Sequence, residues 1–286
     1  MDLIIVGSGP AGLSAAIFAA RAGMSFIVLE KMTPGGKLVW IEKIENYPGF
    51  PGGISGPELA EKFYLQASQL NINFVFQGVD KIEKKDDLFM IFSGKNIYEA
   101  KYIIVASGSI PKKLDVKGEE EFLGKGVSYC AICDAPFFKN KKVFVIGEGK
   151  HVLSEIKLLK KFSSVTWLVR QGSTIKDMEG VDVVKGSPVE ICGKEKVESI
   201  IVDTGSGTKE FQTDGVFIFA GFKPSFEFLP GEVLVDSAGY IKTDSNLESS
   251  VRGLYACGDI RSGSLKQIIA AAFDGAFAVN QVRKHL

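Results

Sequence analysis

Leu3-Ile4-Ile5-Val6 runs directly into Gly7-Ser8-Gly9-Pro10-Ala11-Gly12, and the reading of this stretch decides the fold. Four consecutive apolar residues predict a buried strand, and residues 13–22 predict a helix that Gly23 stops. A second apolar run, 26–29, ends at Glu30. Strand, glycine turn, helix and strand follow in the order that a dinucleotide-binding unit requires. In such a turn Gly7 permits the tight bend, Gly9 lets the backbone approach a pyrophosphate, and Gly12 lets the helix pack close to the strand. The helix start supplies N–H donors to an anion, with Ser8, Pro10 and Ala11 lining the cradle. Glu30 stands where a ribose diol can donate to its carboxylate, followed by Lys31. The competing reading is a tight strand-to-helix turn with no ligand.

A second copy begins at residues 143–146, turns at Gly147-Glu148-Gly149, continues as a helix over about 151–161 and returns as 165–169, ending at Arg170. Gly7 to Glu30 and Gly147 to Arg170 span the same number of residues, which argues for two related halves. The late run Gly253-Leu254-Tyr255-Ala256-Cys257-Gly258-Asp259 and the apolar helix after it, about 266–279, would complete the first half. The expected organisation is therefore α/β, with two Rossmann-like, three-layer ββα domains, the second inserted in the first. The first spans 1–112 and 242–286, the second 113–241, and the two chain crossings form a hinge.

Composition narrows the partners. The 286 residues are 45% hydrophobic and 24% charged, as in globular proteins, and 34 basic side chains balance 34 acidic ones. That balance gives no field for nucleic acid. Basic charge is local instead, at Lys112/Lys113, Lys139/Lys141/Lys142 and Lys157/Lys160/Lys161, where an acidic partner could dock or where lysines simply solvate the surface. The chain passes from Met1-Asp2 straight into the first strand with no leader-like segment, and Asp274 interrupts its most apolar late stretch. The expectation is a cytosolic protein that does not span a membrane.

Four cysteines in such a compartment do not suggest a structural disulfide framework. Two of them lie in Tyr129-Cys130-Ala131-Ile132-Cys133-Asp134-Ala135-Pro136, about one helical turn apart, close enough to bond if the turn opens a helix. A helix start also lowers a thiol's pKa and favours exchange. A zinc site would need ligands from Cys192, Cys257, His151 or His285, and two inert buried thiols are a further alternative. Cys192 and Cys257 read as packing residues, and no metal site is expected.

With Gly35-Gly36-Lys37-Leu38, Glu45-Asn46-Tyr47-Pro48-Gly49-Phe50, Ile103-Ile104-Val105-Ala106-Ser107-Gly108 and Cys257-Gly258-Asp259 added in that order, nearly the whole chain resembles the low-molecular-weight thioredoxin reductase family. The resemblance implies FAD as cofactor, with contacts from the first glycine turn, Gly36, Lys37, Leu38, Asn46, Val79, Ala106, Ser107, Gly108, Gly258, Asp259, Lys266, Gln267 and Ile268. Ser107 replaces the family's usual Thr and Lys266 its usual Arg, changes that keep a hydroxyl and a cation. The resemblance further implies that Cys133 faces the flavin, that Cys130 attacks the disulfide of thioredoxin, and that Asp134 moves a proton between them, although Asp134 could instead be a helix-start charge. A homodimer is implied in the same way.

The second glycine turn departs from a working nucleotide site. Val152 stands where a small residue is needed, and Glu148 sets a carboxylate beside the pyrophosphate position. Where the family holds the 2′-phosphate of NADPH with several cations, this chain offers Arg170, with Lys150 and Lys176 nearby, and little room for a helix between Lys176 and the next strand. The chain is most similar in this to the ferredoxin-dependent flavin thioredoxin reductases, which implies ferredoxin as electron donor. NADPH or NADH through a divergent pocket is the alternative, and a flavin redox sensor without turnover the third reading.

Overall fold

The structure, a computed structural model, describes residues 1–41, 43–174 and 178–286. β1 (Leu3–Val6), α1 (Pro10–Arg21), β2 (Phe26–Leu29), α2 (Gly56–Ser68) and β3 (Phe74–Val75) open the chain. An antiparallel meander follows, β4 (Lys81–Lys85), β5 (Leu88–Ser93) and β6 (Asn96–Ala100), and then β7 (Tyr102–Val105). Helix α1 begins three residues earlier than the apolar periodicity predicts, because Pro10 at its first position fits a helix start without losing a hydrogen bond.

The short β8 (Ser109–Pro111) precedes the second unit, which holds β9 (Val127–Ser128), α3 (Ala131–Asp134), β10 (Lys142–Gly147), α4 (Lys150–Leu159), β11 (Ser164–Val169) and β12 (Asp182–Lys185). It continues through a second antiparallel meander, β13 (Ser187–Gly193), β14 (Val197–Asp203) and β15 (Thr208–Gln212), to β16 (Gly215–Phe219). The chain returns with β17 (Phe222–Pro224), β18 (Leu254–Ala256) and α5 (Ile268–Arg283).

Each unit carries a five-stranded sheet, ordered β18-β7-β1-β2-β3 in the first and β12-β11-β10-β16-β9 in the second, and every pairing within both is parallel. Alternate strand residues show the layers. In the first unit Leu3, Ile5, Val28 and Ile104 pack with the alanine-rich face of α1 and with Ala278, Val279 and Val282 of α5. Ile4, Val6, Ile103 and Val105 pack instead with Ile82, Phe89 and Ile91 of the meander. The second unit repeats this: Val143, Val145 and Trp167 meet Val152, Ile156 and Leu159 of α4, while Phe144, Ile146 and Leu168 meet Ile191, Ile200 and Val202. Strands apolar on both faces are what a sheet covered on both sides needs.

The compact units are 1–110 with 223–286, and 111–222. The return to the first unit thus comes at 223, not at the expected 242. Phe228 and Val233 are buried in the first unit's core, Phe226 and Leu229 pack against it, and the Ile82 N–H donates to the Phe228 carbonyl at 2.7 Å. These contacts join residues far apart in sequence, so hydropathy alone does not assign the stretch. Among the described residues no helix is long and apolar enough to cross a membrane.

Candidate active site

The first glycine turn is fixed by backbone contacts. Gly7 has φ +97°, and a Cβ there would lie 2.6 Å from the Ala106 carbonyl oxygen. At Gly12 a Cβ would lie 1.9 Å from the Gly7 carbonyl oxygen, so α1 can approach the strand only without a side chain. Gly9 differs, because the nearest atom to a Cβ there is the Gly36 Cα at 3.9 Å, and the backbone therefore presents an open face. Helix α1 starts there with no side-chain cap and no acid in its first turn, so no side chain of that turn competes for its N–H groups. Glu30, 8% exposed, takes the Ser8 N–H and hydroxyl on Oε2 and the Met32 N–H on Oε1, all at 2.7 Å. Lys31 beside it is exposed. Donors, an open backbone and a fixed carboxylate fit a dinucleotide.

Further along, the Gly35 N–H donates to the Ser8 carbonyl at 2.7 Å, which brings Gly36, Lys37 and Leu38, in a 3-10 turn over Gly36–Trp40, to the same place. Lys37 pairs with Asp259 and donates to Ser109 Oγ at 2.9 Å, and Asn46 Nδ2 donates to Gln267 Oε1 at 2.8 Å. Ala106 lies under Gly7, Ser107 donates to the Ser225 carbonyl at 3.0 Å, Gly108 has φ +64°, and Ile268 opens α5. Two further expected residues have partners within the chain. Lys266 Nζ donates to the Tyr240 hydroxyl at 2.6 Å and lies over its ring, and Val79 packs against the meander core.

Sequence reasoning missed the support of the 257–259 turn. Asp274, 1% exposed, accepts the Gly258 N–H at 2.9 Å and a fork from Arg261, Nε at 2.6 Å and Nη2 at 3.0 Å. The hydrogen bond to Asp274 raises the Arg261 pKa. The available signal was a lone acid inside an apolar helix, since a buried carboxylate requires a partner. Cys257 is fully buried in the same core, and burial pushes its thiol up; Cys192 is half-buried and shifted the same way.

Cys130 and Cys133 are bonded to each other. Cys130 is the N-cap of α3, and the Cys133 N–H points at its Sγ at 3.1 Å. That donor stabilises negative charge on Cys130 when the disulfide opens. Cys130 is buried, Cys133 exposed and Asp134 half-buried. Two tethers unseen in the sequence hold the segment. Ser128 Oγ accepts the Cys130 N–H at 3.0 Å and donates to its carbonyl at 3.2 Å. Tyr129 donates at 2.6 Å to Glu119, itself 1% exposed and hydrogen-bonded by the Leu114 and Asp115 N–H groups. Burial and the Glu119 carboxylate push the Tyr129 phenol up, so it remains a donor.

The second glycine turn is closed by its own side chains. The Gly147 carbonyl accepts the Trp167 indole N–H at 2.9 Å. Glu148 Oε1 accepts the Arg170 N–H at 2.9 Å, while Oε2 accepts Arg170 Nε at 3.1 Å and Nη2 at 2.7 Å. These bonds, with one from Ser173, hold the Glu148 carboxylate below the usual range. Arg170, the cation that remained for a phosphate, is thus engaged. Val152 is fully buried against Ile156 and Trp167. Lys176 and the side chain of Lys150 lie outside the described residues.

The family model for pyridine nucleotide-disulphide oxidoreductases matches residues 1–275, and the thioredoxin reductase of Treponema pallidum is 38% identical over 299 residues, covering 100% of this chain and 97% of that one. The chain belongs to the thioredoxin reductase family of pyridine nucleotide-disulphide oxidoreductases. The thioredoxin reductase structure from Lactococcus lactis has a TM-score of 0.85 at 35% identity, covering 99% of this chain and 98% of its own. A ferredoxin-flavin thioredoxin reductase structure from Clostridium acetobutylicum has a TM-score of 0.57 at 37% identity, covering 99% and 97%. In a family of disulphide oxidoreductases, the bonded Cys130–Cys133 pair is the group that such chemistry needs.

Proposed function

We propose that this chain is a cytosolic thioredoxin-disulfide reductase that holds FAD on its first unit, takes electrons from reduced ferredoxin and delivers them through Cys130 and Cys133. The observation that carries the reductase reading is the Cys130–Cys133 disulfide, with the Cys133 N–H aimed at Cys130 Sγ. Gly7 to Gly12, Glu30, Gly36 and the Lys37–Asp259 pair would hold the cofactor. Bound there, FAD supplies a centre that accepts electrons singly and passes them on as a pair.

Cys133 is the exposed member of the pair, and its sulfur would be the one that receives the electrons. Opening the disulfide leaves the charge on Cys130, where the Cys133 N–H receives it. The Cys130 thiolate then attacks a sulfur of the thioredoxin disulfide, and Cys133 resolves the mixed disulfide, returning Cys130–Cys133 to its bonded form. Asp134, half-buried beside Cys133, takes or gives the proton. The crossings at 110–111 and 222–223 would act as a hinge.

The donor assignment draws support from the Glu148–Arg170 fork, which occupies donors that the 2′-phosphate of NADPH would use. The lysines add to it. Asn140 donates to the Phe162 carbonyl and Ser164 to the Lys141 carbonyl, so the exposed Lys139/Lys141/Lys142 and Lys157/Lys160/Lys161 clusters form one basic edge suited to an acidic ferredoxin. Exposed Leu265, Ile269 and Phe273 give the first unit an apolar strip suited to a second copy in a homodimer. NADPH or NADH as donor is favoured by one observation, the intact parallel sheet and glycine turn of the second unit.

Anaerobic mixing of the oxidised enzyme with reduced ferredoxin, NADPH or NADH decides the donor. Ferredoxin should bleach the flavin absorbance rapidly; rapid bleaching by either nicotinamide overturns the assignment, and no thioredoxin turnover with any donor would favour a sensor. Cys130→Ser should abolish thioredoxin turnover in a steady-state assay while flavin bleaching persists. Retained turnover would reverse the roles given to the two thiols.

A further inference from the structure

The two glycine turns correspond position by position, with the place of the carboxylate exchanged between turn and strand end. Ser8 corresponds to Glu148 and Glu30 to Arg170, each pair closing the space between its turn and the end of the next strand. In the first unit the strand end carries the carboxylate and the turn supplies the donors. In the second the turn carries the carboxylate and the strand end supplies the donors. The residue at this strand end faces the adenosine ribose of a bound dinucleotide, where an acid suits a free 2′-hydroxyl and an arginine a 2′-phosphate.

We propose that Glu148 is a specificity-determining residue that excludes 2′-phosphorylated dinucleotides by supplying, from within the chain, the anion their 2′-phosphate would contribute. The proposal deepens the reading that a nicotinamide does not load this enzyme, and rests on it. A guanidinium binds carboxylate and phosphate through the same planar two-point geometry. Glu148 uses that geometry on Arg170, adds the Arg170 N–H, and accepts from Ser173 as well. The donors of a phosphate monoester site are therefore retained, with a carboxylate already in place. An incoming 2′-phosphate must displace that carboxylate and then tolerate its charge at close range. Arg170 itself is 82% exposed, so the fork and not burial is what withholds it.

The test titrates the oxidised FAD-loaded enzyme with adenosine 2′-monophosphate and adenosine 5′-monophosphate by calorimetry. Unaltered enzyme should bind the 2′ isomer weakly, Glu148→Ala should gain affinity for it by about tenfold with no matching gain for the 5′ isomer, and Arg170→Ala added to Glu148→Ala should abolish the gain. Glu148→Gln, which keeps the acceptor and removes the charge, should gain less and carries the test if the alanine variant loses its flavin. No gain in the folded variants overturns the proposal, as does a gain that survives Arg170→Ala. An equal gain for both isomers overturns it too, and would make Glu148 a general repellent of the pyrophosphate. Failure here leaves the donor assignment standing if NADPH still does not bleach the unaltered enzyme; rapid bleaching by NADPH removes the donor assignment independently.

Discussion

The glycine turn after β1 and the glycine turn after β10 share a backbone plan and differ in what fills the space above it. Both begin with a glycine in the left-handed half of conformational space, Gly7 at φ +97° and Gly147 at φ +150°, and in both a Cβ would strike a carbonyl of the neighbouring strand's end, that of Ala106 or of Phe219. The plan diverges at the third small position, where Gly12 lets α1 touch the Gly7 carbonyl and Val152 instead fills the core beneath α4. It diverges again at the second position, where a small serine leaves the cradle open and Glu148 closes it. The lesson is that one backbone plan can carry different side chains above its turn, because the sheet and its core hold the turn while a few side chains decide what fills the space over it.

Three substitutions or conditions press on that contrast. Gly12→Val, which gives the first turn the residue of the second, should cost about 4 kcal/mol or more and strip the flavin, as read by urea unfolding and flavin absorbance per chain. A variant that keeps both would show that close packing does not distinguish the halves. Val152→Ala should destabilise the second unit by about 2 kcal/mol through the cavity left in a closed core, measured by the same unfolding. A value near zero would mean that Val152 packs no more tightly than a surface residue.

The smallest effect concerns acid. Because Arg170 lowers the Glu148 pKa, the fork's contribution is fully present above the ordinary glutamate value, about 4.3, and is lost only as pH falls through the lower folded value. NMR titration of the Glu148 carboxyl and of the Arg170 Nε–H should therefore show one common midpoint below that of a free glutamate. Separate midpoints, or one at the ordinary value, would mean that the fork does not persist in solution.

The local grammar of the chain was legible because it depends on local physics. Strands over Leu3–Val6 and Phe26–Leu29 match the apolar runs to the residue, since four consecutive apolar side chains need a doubly covered sheet. The Cys130/Cys133 spacing likewise indicated two sulfurs that could bond. The end of the inserted unit was not legible, because residues 223–241 carry no periodic pattern and are assigned only by where Phe228 and Val233 are buried. The Lys266 hydrogen bond to the Tyr240 hydroxyl is likewise a pairing that spacing does not encode.

By itself the amino-acid sequence determined two repeated strand–turn–helix–strand units, the glycines they require and a pair of thiols one turn apart. These follow from backbone sterics and the periodicity of burial, which act over a few residues. Tertiary structure alone decided that Glu148 grips Arg170, that Asp274 anchors the turn around Asp259 through Gly258 and Arg261, and that Glu119 tethers Tyr129 beside the disulfide. A charged or polar side chain has several candidate partners along a chain, and only folding brings one within hydrogen-bond distance while removing water from the others.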